Sequence, residues 1–487
     1  MDFAMDILNM DWVKNQAPIP VELLQLITAE QAWEYRVIPL KSDGETLFFF
    51  SDSEADIREV LEILTGKNIE LIPFETAGLN RLLAANYRLS NQARNETKAT
   101  VLQTSSGDDF LEKLIGDAEQ LGSSDIHVET YENMGRVRIR IDGKLIEKYQ
   151  VNKDQLPSII NKIKIKANLD IAEKRLPQDG RIYFETGAKT FDIRVSTVPT
   201  LYGEKVVLRL LGKDASHIDL FALGFDKTDL DNYLDSIKKP HGIILISGPT
   251  GSGKTTTLYA TLKQLNNNAH NILTIEDPIE YTLEGINQVQ VKEAIGLSFE
   301  NVLKSFLRQD PDIIMVGEIR NKETAQMAIR AALTGHLVLS TIHTNSAWGT
   351  ITRLLDMGIP SFMLANTMNA SIAQRLVRIL CNDCKMVAPL LEKDFPAYSK
   401  HLLDTDKQYL PKGCPACHYT GYKGRKAIYE VIPVDDFFAL KIKDQVFDIR
   451  DDLKQKNILT LAENAYTLFK QHTTSLEEVY PMLAANI

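Results

Sequence analysis

The segment GPTGSGKTT, Gly248 to Thr256, sets glycines, a lysine and a threonine at the spacing G-x-x-x-x-G-K-[ST]. Such a loop is suited to holding phosphate. Gly248, Gly251 and Gly253 let the backbone wind tightly and turn its N–H groups inward, with Pro249, Thr250, Ser252 and Thr256 completing the loop. Lys254 offers a point charge to the β- and γ-phosphates of ATP, and Thr255 offers its hydroxyl to Mg2+. The loop follows the apolar run GIILIS and opens a helical pattern, whose N-terminal dipole adds to the attraction for phosphate.

Three further apolar runs end in polar residues: Glu276-Asp277-Pro278, Gly317-Glu318 and His343-Thr344-Asn345. In an open parallel sheet, ligands bind outside the carboxyl ends of the strands, so these ends and the loop are expected to converge on one nucleotide. A carboxylate there, Glu276 or Glu318, can position or activate water, and another can hold Mg2+ through its waters. The His343 imidazole can sense whether the γ-phosphate is present. The plainer reading of each residue alone is a helix cap or a satisfied salt bridge.

All four cysteines fall in two pairs, Cys381-Asn-Asp-Cys384 and Cys414-Pro-Ala-Cys417, with 29 residues between them. Two CxxC turns can present four thiolates as a tetrahedron, the geometry Zn2+ prefers in a closed structural site. Catalysis at such a metal is not expected, because its coordination is full. Four reduced thiols or redox pairs are the alternative.

Strands and helices must place these groups. GIILIS (242–247), NILTIED (271–277), DIIMVGE (312–318) and HLVLSTIH (336–343) read as buried strands, with helices near 254–265, 299–308 and 322–333. Continuous apolar strands alternating with helices predict a parallel α/β sheet over 216–378. Upstream, 108–215 alternates apolar and polar residues with glycine turns, predicting a mainly antiparallel α+β domain. Residues 1–90 read as a small α+β domain with turns at Asp43-Gly44 and Gly66, and the polar stretch 91–107 reads as a flexible linker. The cysteines define a zinc subdomain at 379–430, and 431–487 is helical.

In this order the motifs resemble the secretion ATPase superfamily, most closely the branch of type II secretion and type IV pilus assembly ATPases (GspE/PilB). The resemblance runs from about residue 105 to the end. The phosphate loop, TIEDPIEY, IIMVGEIR, GHLVLSTIHTN and the cysteine pairs match that family's phosphate loop, aspartate box, variant Walker B element, histidine box and tetracysteine motif. The resemblance implies a RecA-like ATPase domain preceded by a PAS-like domain, ATP with Mg2+, a structural Zn2+ and a homo-hexamer. It implies Glu276, Glu318 and His343 as catalytic residues beside Lys254, without settling which glutamate is the general base. RLPQDGRI, FDIRVS and EKVVLRLL resemble the elements that bring arginines to ATP in this family, making Arg181, Arg194 and Arg209 arginine-finger candidates. Arg308 and Arg320, flanking the Glu318 strand, read as local interface charges. Implied partners are an inner-membrane platform protein and the cytoplasmic domain of a membrane anchor protein, from a cytoplasmic position peripheral to the membrane. The paired CxxC motif fits an assembly ATPase rather than a retraction motor. The first 90 residues lack the repeated Arg-Leu-Gly pattern of the family's cyclic di-GMP-binding version, so that ligand is not expected.

The bulk numbers agree with a cytoplasmic enzyme. The start, MDFAMDILNM, is acidic where a signal peptide is basic, and the apolar runs fall short of the ~20 residues that cross a bilayer. The 55 basic and 65 acidic side chains give a net charge of −10, which disfavours a nucleic-acid translocase; a nucleotide-gated scaffold without turnover is the other alternative.

Overall fold

A computed structural model describes residues 19, 21–24, 26–44, 46–52, 57–87, 100–101, 107–186, 189–212 and 219–485. Most of the stretch read as a linker (91–99 and 102–106), and residues 1–18, lie outside the described residues. The chain divides into two compact units, Met1–Lys98 and Ala99–Ile487.

In the first unit, β1 (Val37–Asp43) pairs antiparallel with β2 (Thr46–Ser51), and β2 pairs parallel with β3 (Asn68–Pro73). The parallel pair needs a crossover, supplied by the helix Arg58–Thr65. Gly66 ends that helix in the left-handed region, φ 69°, a conformation that costs glycine least. Val37, Ile38, Leu47, Phe49, Leu61, Leu79 and Leu83 form its core.

The second unit opens with a sheet of β4 (Thr100–Val101), β5 (Asp125–Thr130), β6 (Met134–Ile141), β7 (Lys144–Asn152), β8 (Gln178–Thr186), β9 (Lys189–Thr200) and β10 (Gly203–Gly212). Its order is β4-β7-β6-β5-β10-β9-β8, antiparallel except for β4 beside β7. The short β4 lies within the stretch read as a linker; its two residues pair with Tyr149 and Gln150. Period-two alternation sorts the side chains between the two faces. Ile126, Val128, Val137, Ile139, Ile193, Val195, Val206 and Leu208 share a core with Phe110, Leu114 and Ile115 of helix Gly107–Gln120 and Ile160 and Ile163 of helix Leu156–Lys166. The intervening positions give the opposite face a dense set of charges.

The second sheet of this unit contains β11 (Gly242–Ser247), β12 (Ile272–Glu276), β13 (Asn287–Gln290), β14 (Ile313–Val316), β15 (Leu337–Ile342) and β16 (Met368–Leu380). The ribbon β17 (Lys385–Pro389) and β18 (Lys407–Pro411) follows, and β19 (Tyr422–Pro433) completes this mainly parallel sheet. Its order is β13-β12-β14-β15-β11-β16-β19, parallel throughout except for β19 against β16. Alternate residues of β11 enter two cores, Ile243 and Leu245 on one face, Ile244 and Ile246 on the other. That is why GIILIS carries no polar residue before Ser247: both faces are covered by helices.

The helices Lys254–Leu265, Phe299–Phe306 and Lys322–Leu333 lie where the sequence predicts them. The limits expected for the cysteine subdomain, 379 and 430, fall inside β16 and β19. Those strands pair from Ala370↔Pro433 to Leu380↔Tyr422, so the cysteine-bearing insertion occupies only the interval between them. Among the described residues, no helix is long and apolar enough to cross a membrane.

Candidate active site and metal centre

The phosphate loop connects β11 to the helix Lys254–Leu265. Gly253 caps that helix in the left-handed region, φ 87°. At Gly248, φ 150°, a Cβ would lie 2.4 Å from the Gln374 carbonyl oxygen and 2.7 Å from Ser252 Oγ, so no side chain fits there. Gln374, from β16, supports the loop: its Nε2 donates to the Ser252 carbonyl (2.9 Å), and Thr257 Oγ1 donates to its Oε1 (3.0 Å). Arg375 beside it donates to the Asn345 carbonyl (2.8 Å), tying the loop's neighbour strand to the end of β15.

Lys254 is buried and donates to the carbonyls of Gly248 (2.8 Å) and Pro249 (3.0 Å). Burial pulls its pKa down to about 8, with Glu318 opposing and Arg375 reinforcing the change. Glu318 thus shares the electrostatic space of the loop. It lies beyond the end of β14, accepts from Arg320 Nη2 (2.6 Å) and sits 3.6 Å from His343 Nε2. Arg320 also reaches Asp277, 3.4 Å away. The ends of β11, β14 and β15 and the residue after β12 therefore bring Lys254, Glu318, His343, Arg320 and Asp277 together.

Glu276 has a different setting. It is fully buried at the end of β12 and accepts from Thr274 Oγ1 (2.6 Å), Gln288 Nε2 (3.1 Å) and the Tyr259 hydroxyl. Burial raises its pKa against those three donors. Both oxygens are engaged by the chain itself.

The three arginines also divide. Arg194 on β9 reaches the segment that follows β12, donating to the Ile279 carbonyl and lying 3.4 Å from Glu280. Arg209 on β10 is held by Asp125 (2.9 Å), and Glu280 favours its charged form. Arg181 lies 3.6 Å from Asp192 of the neighbouring strand. Arg308 donates to the Lys304 carbonyl within its own helical turn (2.9 Å).

The four cysteine Sγ atoms lie within 4.8 Å of one another. Cys381–Cys414, Cys384–Cys417 and Cys414–Cys417 are 3.9, 3.8 and 3.7 Å apart. A tetrahedron with Zn–S bonds of about 2.3 Å has edges of about 3.8 Å, so these three separations match its edges and the donor set fits Zn2+. Burial pushes Cys384 up to about 12. At Cys417 burial acts the same way but is outweighed by the Cys414 and Gly421 N–H groups, and its thiol comes down to about 7.

Sequence reasoning missed Gln374, Arg375, Tyr259 and Gln288. The first two carried a legible signal, a polar pair interrupting the apolar run of β16. The others carried none, because their role comes from proximity to Glu276.

A phosphate loop on a parallel sheet, with acids and a histidine at the adjoining strand ends, defines a RecA-like P-loop ATPase. The family model for type II/IV secretion system proteins matches residues 103–481, and the chain belongs to that family. A model for the MshEN domain matches residues 14–93. The type II secretion system ATPase E of Vibrio cholerae is 45% identical over 379 residues, 76% of this chain and 74% of that protein. The type IV pilus assembly ATPase PilB of Myxococcus xanthus is 42% identical over 486 residues, 94% of this chain and 86% of that protein. The X-ray structure of the Legionella pneumophila ATPase DotB shares the fold, with a TM-score of 0.61 at 21% identity over 79% of this chain and 99% of that one.

Proposed function

We propose that this chain is the ATP-hydrolysing motor of a bacterial secretion or pilus assembly system, and that its site works as follows. Backbone N–H groups of Gly251 to Thr256 and the Lys254 ammonium receive the β- and γ-phosphates, the lysine giving up its loop carbonyls to do so. The Thr255 hydroxyl would hold Mg2+, which when bound neutralises charge on those phosphates. Glu318 accepts the proton of the water that attacks the γ-phosphorus, and the β–γ bridging bond breaks to release ADP and phosphate. The observation that carries this reading is that Glu318 shares its surroundings with both Lys254 and His343, whereas Glu276 is enclosed by its own hydrogen bonds. His343 senses the γ-phosphate, and Glu276 fixes the end of β12. Arg194 and Arg209, with Arg181 on the next strand, stabilise charge on the transferring phosphoryl group. Lys254→Ala and Glu318→Ala are each expected to abolish phosphate release; wild-type turnover in either overturns the assignment.

Cys381, Cys384, Cys414 and Cys417 hold a structural Zn2+ that folds the insertion between β16 and β19. The working form is a homo-hexamer at the inner face of the cytoplasmic membrane. It meets an inner-membrane platform protein and the cytoplasmic domain of an anchor protein, and ATP-driven rotation of its rigid bodies drives pseudopilus or pilus assembly. Support comes from the names of its relatives and from a chain whose described helices are not membrane-spanning. Disrupting the gene and scoring secreted enzymes against surface pili separates the two machines.

A further inference from the structure

Across five strands of the first sheet of the second unit, one register row reads Arg140, Asp125, Arg209, Arg194, Arg181, on β6, β5, β10, β9 and β8 in turn. Neighbouring strands are about 4.8 Å apart, so Arg209, Arg194 and Arg181 stand directly opposite one another. Like charges in that relation repel and splay unless anions fix them. Asp125 is the buried acid within the row. Its Oδ1 accepts from Arg209 Nε (2.9 Å), and its Oδ2 accepts from the Ser124 hydroxyl (2.9 Å) and lies 3.2 Å from Arg140 Nε. Burial works against its charge, but the Arg209 and Ser124 contacts prevail and hold the carboxyl below its ordinary range. The far side of the row is anchored by Glu280, which pairs with Arg194 and acts on Arg209 as well. Glu280 lies three residues after Asp277, which meets Arg320, which in turn meets Glu318.

We propose that Asp125 is a positioning residue for ATP hydrolysis: by gripping Arg209 along its Nε edge it aims that guanidinium, beside Arg194, at the phosphates. This rests on the arginine roles given above. A second buried acid on the same face, Glu129, provides the contrast. It binds Arg136 (2.8 Å), Arg138 (2.7 Å) and Lys205 (3.1 Å) and holds none of the row's arginines.

The test is steady-state ATP hydrolysis by the full-length protein as Asp125→Ala, Asp125→Asn, Arg209→Ala, the Asp125→Ala/Arg209→Ala pair and Glu129→Gln, with melting curves for each. Misplacing a group that acts in the transition state costs up to about 100-fold, so Asp125→Ala is expected to lower kcat at least about tenfold with KM for ATP changed less than about threefold. Arg209→Ala is slower still, and the double variant is no slower than Arg209→Ala, because the aspartate acts only through that arginine. Glu129→Gln keeps kcat within about twofold even where its melting temperature falls. Additive losses, or a normal kcat in a folded Asp125 variant, overturn the positioning role while leaving Arg209 in place. A normal kcat in Arg209→Ala overturns the arginine reading itself and the inference with it. Should both Asp125 variants fail to fold, the exposed Ser124→Ala replaces them: a loss of about threefold that disappears in the Arg209→Ala background supports the proposal, and no loss overturns it.

Discussion

The lysine of the phosphate loop should make nucleotide affinity pH-dependent in a range where lysines are ordinarily silent. Burial brings the Lys254 ammonium down to about 8, so near that pH half of the free protein carries a neutral amine. A triphosphate favours the ammonium strongly, and binding therefore takes up a proton. The sign follows: the lysine adds no pH dependence below pH 7, where it is charged before and after binding, and it lowers affinity as pH rises through 8. For a pKa near 8 that drops only on release of ligand, affinity weakens about tenfold between pH 7 and pH 9, or about 1.4 kcal/mol. Proton uptake rises from about 0.1 to about 0.9 per bound nucleotide over the same range. Phosphate groups have lost their last proton by then, since their second pKa lies near 6. Equilibrium titration with a fluorescent ATP analogue from pH 6.5 to 9.5 measures the slope, and calorimetry in two buffers of different ionisation heat counts the protons. Lys254→Arg is the control, because guanidinium stays charged throughout. An affinity unchanged between pH 7 and 9, or a slope that persists in Lys254→Arg, refutes the reasoning.

Three other outcomes are expected. Asp229 is buried, and burial with Asp226 and Glu430 nearby lifts its pKa from 3.8 to about 7. The native state then holds a proton that the unfolded chain releases, so stability present below pH 4 is lost as pH rises to 7, by about 4 kcal/mol in all. Asp229→Asn should thus melt like wild type at pH 4 and higher than wild type above pH 7; equal melting at both values contradicts the buried-proton argument. Glu318→Gln should slow single-turnover hydrolysis by about 100-fold or more while still binding nucleotide, and Glu276→Gln by less than about tenfold, since its amide preserves much of the hydrogen bonding; the reverse ranking would make Glu276 the base. Metal analysis should find one Zn2+ per chain in wild type and none in the four-serine variant, and Cys381→Ser should lower stability and impair coupling to partners more than nucleotide binding; unchanged zinc in the four-serine variant rules out the centre.

The parts of the molecule governed by short-range pattern were open to reading from sequence. GIILIS, ILTIE, IIMV and LVLSTI are buried along their whole length because both faces of their sheet are covered, and predominantly apolar runs record that. The two CxxC turns announced a compact donor set for the same reason: each pair is local, and only one long-range closure was needed. The strands β16 and β19 continue their sheet up to the cysteines, which local pattern does not disclose. Their alternation, QRLVRIL and YKGRKAIYE, resembles any exposed hairpin until the partner strand is known.

The site itself shows where sequence stops. Glu276 and Glu318 both end apolar strands, and strand-end position alone makes them equivalent candidates. What separates them is three donors distant from each other in sequence, Tyr259, Thr274 and Gln288, converging on one carboxylate, against an arginine and a histidine flanking the other. The arginines differ in the same way. Arg181, Arg194 and Arg209 are each an outward residue of a β-strand, and only strand register reveals that they form one row with Asp125 at its anchored end. A row of like charges held in line is costly in the resting protein. Asp125, Glu280 and Asp192 hold Arg209, Arg194 and Arg181 in that row; in the function proposed above, the triphosphate is the further anion that they would meet. On that proposal an anion contacted from both sheets would tie them together, and its hydrolysis would remove part of that tie.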